Sequence, residues 1–141
     1  MRFLNRHFLA SAMLAAVVLI AAFAMSASAA GPVKITNCNA AASRPKLLTL
    51  TCGDGNTVLK GLSWSTFGGL SAQAKGTFVM NTCEPDCAAG RDVSYPVAVK
   101  ATSPRTCKKG LRVYNKLTLK FTGRVPKSAS SLTRWTLGCP T

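Results

Sequence analysis

Six cysteines, Cys38, Cys52, Cys83, Cys87, Cys107 and Cys139, all follow an N-terminal stretch that reads as an export segment. No other feature constrains the fold as strongly. Residues 1–30 carry Arg2 and Arg6, an apolar run from Phe8 to Met25, and a small-residue end at Ala27, Ser28 and Ala29. These are the three parts of a secretory signal peptide, with cleavage expected after Ala29 or Ala30. An uncleaved anchor is the competing reading, because the apolar run approaches the length that spans a hydrocarbon core. Its Ala-rich composition, the interruption at Ser11 and the small-residue end favour cleavage. Residues 1–29 are therefore assigned to the signal peptide and 30–141 to a single secreted domain with no transmembrane segment in the mature form.

In an oxidising compartment, an even number of thiols in a small domain points to a disulfide framework. Six cysteines admit fifteen pairings. Near neighbours in sequence often bracket adjacent strands, so Cys38 with Cys52, Cys83 with Cys87, and Cys107 with Cys139 is the preferred set. On the loop-entropy model each closure contributes about 2–4 kcal/mol, comparable in sum to a domain's whole net stability. The alternative for Cys83-x3-Cys87, a redox or metal site beside Glu84 and Asp86, is disfavoured. The spacing is not C-x2-C, there is no second paired motif, and no histidine follows His7 to complete a zinc shell. No metal or cofactor is expected.

The missing histidine also excludes Ser-His-Asp and Cys-His catalysis in the mature chain. Glu84 and Asp86 could form a carboxylate pair for glycoside chemistry, but they sit in a short disulfide loop. Asp54 has none of the spaced companions of a calcium loop, and a turn role explains it. No enzyme is expected.

Periodicity gives the fold class. Leu48, Leu50 and Cys52 alternate with Thr49 and Thr51, Gly53 to Asn56 supplies a tight turn, and Thr57 to Ser65 is a partner strand carrying Val58, Leu62 and Trp64. Gly68 and Gly69 break it. Ala72, Ala74, Gly76, Phe78 and Met80 then share one face of a third strand, where the small residues suggest close backbone approach or a bulge. Ser94 to Ala101 is a strand whose Pro96 argues for an edge or a strand start. Leu111 to Thr122 alternates most clearly, with Val113, Leu117, Leu119 and Phe121 on one face. Short strands at Val33 to Thr36 and near Leu132 to Gly138 bring the count to about seven, without a helix of ten residues. Such spacing predicts an all-β domain, a small antiparallel β-sandwich of about seven strands, Ig-like in size and stapled by disulfides. A small β-barrel is the alternative.

Charge supplies the functional lead. Without Arg2 and Arg6 the 18 Lys and Arg become 16, and against 4 acidic residues the net charge falls from +14 to +12. No acid follows Asp92. Arg112, Lys116, Lys120 and Arg124 occupy even positions with Tyr114 and Thr118, opposite the apolar face of the Leu111 to Thr122 strand. Such a stripe suits a polyanion, because like charges in close array are costly unless solvent or an anion screens them. A merely solvated face is the plainer explanation of the same residues. Outside the cell, anionic envelope polymers or lipid head groups are easier to meet than nucleic acid, and only two Tyr and two Trp are present for stacking. Trp64 and Trp135 are expected in the core.

The segments Leu50 to Asn56 (LTCGDGN), Leu62 to Gly68 (LSWSTFG), Cys83 to Gly90 (CEPDCAAG) and Tyr95 to Val99 (YPVAV) together resemble a pattern of small secreted actinobacterial proteins. The resemblance implies export and a single-domain architecture. It carries no assigned activity. The basic C-terminal half and the Cys107 and Cys139 pair depart from that pattern. The expected function is a non-catalytic secreted β domain that binds an anionic envelope or extracellular polymer through its basic face. The alternative is a protein-directed effector, such as an enzyme inhibitor or antimicrobial, that presents the Cys83 to Cys87 loop as a rigid wedge.

Overall fold

Period-2 alternation produces strands throughout the computed structural model, which describes residues 31–125 and 127–141. The expected signal peptide, residues 1–29, lies outside the described residues. In chain order the elements are β1 (Val33–Asn37), β2 (Ala40–Ala42), β3 (Leu48–Thr49), β4 (Thr57–Thr66), β5 (Ser71–Asn81) and β6 (Asp92–Thr106). A 3-10 turn at Lys108–Gly110, β7 (Arg112–Phe121), the helical turn α1 (Lys127–Ser130) and β8 (Arg134–Thr136) complete the chain.

The all-β expectation holds, in the form of one eight-stranded sheet. Its order is β2-β1-β7-β6-β5-β4-β3, with β8 also paired to β7. The sheet is mixed, because β1 runs parallel to β7 from Val33 opposite Arg112. It curls into a half-barrel, nearer to the barrel alternative than to two stacked sheets. Curling lets one sheet enclose its own core, including Val33, Ile35, Leu48, Leu59, Phe78 and Leu117, each at most 1% exposed. Burying side chains of this size stabilises by about 1.5–3 kcal/mol apiece.

Two places in β4 and β5 set the curl. Gly61, at φ 62°, forms a bulge between Lys60 and Ser63, and the alternation reverses there. Leu59 is consequently buried and Val58 only half-buried, against the expectation that Val58 faces the core. Opposite the bulge, a Cβ on Gly76 would lie 2.9 Å from both the Lys60 carbonyl oxygen and Leu62 Cδ2. The small residue permits the close approach that the sequence suggested.

Pro96 is not at an edge. It pairs with Thr77 inside the sheet, and its carbonyl accepts the Thr122 N–H at 3.1 Å. Because the N and C=O of a strand residue face the same neighbour, its missing donor points just past Phe121, where β7 ends. The ladder loses little there.

Three disulfides join Cys38 to Cys52, Cys83 to Cys87, and Cys107 to Cys139. The first ties the end of β1 to the turn after β3. The last fastens the C-terminal segment to the β6–β7 connection.

Candidate anion-binding face

Antiparallel pairing places directly opposed residues on the same face of a sheet, so the register of the central strands maps the outer surface. On β7, Leu117 and Leu119 point inward and Lys116, Thr118 and Lys120 outward. Thr118 pairs with Lys100 of β6 on one side and with Arg134 of β8 on the other. Lys116 and Lys120 flank it along its own strand. Thr118 therefore stands at the centre of four cations. Side chains two apart on a strand, or on neighbouring strands, are separated by only about 5–7 Å at their bases. All four cations are exposed, and none is engaged in an ion pair or hydrogen bond among the described residues.

The next row out continues the pattern. Lys120 opposes Ala98, which in turn opposes Lys75 of β5, and Lys75 opposes Ser63 of β4. Between these two rows runs an open trough of about 600 Å³. Lys75, Lys100 and Lys120 supply its charge, Gln73, Ser63, Ser65 and Thr118 its neutral polar groups, and Ala98 lies between the lysines.

The four carboxylates lie elsewhere. Asp54 belongs to the turn before β4, and Glu84, Asp86 and Asp92 to the β5–β6 connection and the start of β6. The two loops meet where the Asn81 N–H donates to the Asn56 carbonyl at 2.9 Å and Asn56 Nδ2 reaches Cys83 Sγ at 3.7 Å. From Asp92 to Ala98 is six strand residues, about 20 Å along β6. Acid and base are thus separated along the strands, with Asp92 on the outward face of β6 but far from Lys100.

Most of these carboxylates have local work. Asp54 Oδ1 accepts the Asn56 N–H at 3.1 Å, and this bond is the main reason its carboxyl titrates below its ordinary value, with Thr51 adding to the effect. Asp86 Oδ1 accepts the N–H groups of Ala88 and Ala89 at 2.9 and 2.8 Å, folding the loop closed by the Cys83–Cys87 bridge. Among the described residues no three His, Cys, Asp or Glu side chains gather into a metal-binding group, and every cysteine is in a disulfide.

Of the four cations singled out from the sequence, the fold brings together Lys116 and Lys120. Arg124 is exposed but lies beyond the end of β7. Arg112 is half-buried and donates to the Gly31 carbonyl at 3.3 Å. The stripe fails at Tyr114, which is fully buried in the core rather than exposed between the cations. The reversal occurs at Asn115, opposite Ser103, whose φ of 56° interrupts the regular pairing of β6 with β7. The Tyr114 hydroxyl accepts the Gly68 N–H at 2.9 Å and donates to the Gly69 carbonyl at 3.0 Å. Trp64 and Trp135 both pack against the core, and their indole N–H groups donate to the carbonyls of Pro45 and Leu132.

Sequence reasoning missed Lys75, Lys100 and Arg134. Each stands at an outward position of its own strand, a signal that alternation could have supplied, but their convergence depends on register between segments far apart in the chain. Among the described residues no helix is long and apolar enough to cross a membrane. No family model, curated protein or solved structure matches the chain.

Proposed function

We propose that this is a secreted, non-catalytic β domain that binds an anionic polymer of the cell envelope or extracellular space through the outer face of β5 to β8. The observation that carries the reading is the set of four unpaired cations around Thr118, with the one carboxylate on that face of β6, Asp92, eight residues from Lys100 along the strand. Lys, Arg and Thr side chains held on a rigid sheet meet a polyanion with little ordering cost, because the strands already fix their spacing. The three disulfides fit an oxidising compartment. The N-terminal segment and the resemblance to small secreted actinobacterial proteins argue for the same location.

The effector reading has less support, since Asp86 spends its carboxylate on the backbone of its own loop. Neutralising the four cations tests the proposal. The variant carrying Lys100→Gln, Lys116→Gln, Lys120→Gln and Arg134→Gln is expected to fold normally and to lose retention on an immobilised anionic polymer at low salt. Unchanged retention would remove the face from consideration.

A further inference from the structure

We propose that the trough takes a single chain of a phosphodiester-linked polyol or sugar polymer, laid across β7, β6, β5 and β4. This rests on the reading of the outer face as an anion-binding surface and names the chemistry it accepts.

The charged groups in the trough are Lys75, Lys100 and Lys120, with no arginine. Lysine is a compact point charge with three rotatable donors, and it holds a singly charged tetrahedral phosphate without the fixed bidentate geometry that the arginine fork brings to carboxylates and phosphates alike. Lys100 lies diagonal to each of the other two, about 7–8 Å away at the base, and Lys75 and Lys120 are two strand spacings apart, about 10 Å. The charges are thus spaced rather than converged on one point, an arrangement for successive anions along a chain.

Between the charges stand groups that bond hydroxyls. The Gln73 amide and the Ser63 and Thr118 hydroxyls lie in the same trough, and none has a side-chain partner among the described residues. Ala98 leaves room for a chain to approach the sheet. A polymer that alternates phosphate with polyol or sugar meets both kinds of group at once.

The same lining argues against a bilayer or a nucleic acid. Among the described residues the exposed large apolar side chains are Leu47 and Leu70, and neither lines the trough, so nothing there inserts among acyl chains. The one aromatic residue lining it, Trp64, is packed edge-on against Phe67 and hydrogen-bonded to Pro45, which leaves it committed to the core rather than to stacking on bases.

The test uses the mature protein with its disulfides intact and end-labelled poly(glycerol phosphate) at low salt. Parallel arms use polyglucuronate of matched length, phosphatidylglycerol vesicles and inorganic phosphate. Poly(glycerol phosphate) is expected to bind at least about tenfold more tightly than the other three. Lys75→Gln, Lys100→Gln and Lys120→Gln are each expected to weaken it roughly two- to five-fold, the range of an exposed charge contact. Lys108→Gln with Lys109→Gln, on the distant β6–β7 connection, is expected to change nothing. Equal or tighter binding of polyglucuronate or vesicles overturns the proposal. Full affinity in the three trough variants, with loss in Lys116→Gln and Arg134→Gln, overturns the trough while sparing the anion-binding face. Failure of every polyanion to bind overturns both.

Discussion

The side-chain amide of Asn37 accepts the backbone N–H of Thr49 at 2.9 Å and so links two strands that share no ladder. Its Nδ2 also donates to the Leu47 carbonyl at 3.3 Å. Asn37 ends β1 and Thr49 ends β3, near opposite edges of the strand order, so one amide imitates a ladder step where the curled sheet meets itself. The Cys38–Cys52 disulfide fastens the same junction one residue away.

Replacing Asn37 with Ala leaves a part-buried donor and an acceptor without partners. The expected loss is about 1–3 kcal/mol in denaturant unfolding, the desolvation penalty of groups left unpaired. Amide exchange at Thr49 should accelerate well beyond the global change. Asn37→Asp, which keeps the acceptor, should protect Thr49 better than Ala does. Exchange at Thr49 that tracks only global unfolding in the Ala variant would contradict this role.

Tyr114 closes a second junction. Its hydroxyl holds both Gly68 and Gly69 in the β4–β5 connection, and its ring meets Phe67 edge-on at 5.8 Å between centroids. Tyr114→Phe keeps the ring and removes only the clamp, so a loss of about 1–2 kcal/mol is expected, with faster exchange at Gly68. Polymer retention should survive, because the tyrosine is not on the basic face.

The turn before β4 should respond to acid. The Asn56 N–H lowers the Asp54 pKa, so the carboxylate's contribution is fully present above the ordinary value of 3.8 and is lost as pH falls through the lower folded value. An NMR titration should place Asp54 below 3.8, and the stability gap between wild type and Asp54→Ala should narrow in acid. An Asp54 midpoint at or above that ordinary value would contradict the hydrogen-bonded turn.

Particular residues mark how far the sequence was legible. Leu117 and Leu119 announce their strand because local alternation alone decides which face they take. Tyr114 does not, since its orientation is reversed by a backbone irregularity at Ser103 on a neighbouring strand. Val58 and Leu59 exchange roles for the same kind of reason, at the Gly61 bulge. The cation cluster was half legible. Lys116 and Lys120 share a strand, whereas Lys100, Lys75 and Arg134 join them only through cross-strand register, which is set by tertiary pairing rather than by local pattern. β2 (Ala40–Ala42) is three alanines long and carries no alternation to read.

If exposed cations on the outer sheet face hold an anionic polymer, the contact must yield to salt. Exposed charge contacts are screened within about 10 Å at 0.1 M ionic strength and more tightly above it. Retention of the protein on an anionic envelope polymer should therefore be strong at low salt and abolished by roughly 0.5 M NaCl, where the screening length is only a few ångströms. Retention that persists at that salt, or is absent at low salt, would rule out these cations as the polymer's attachment.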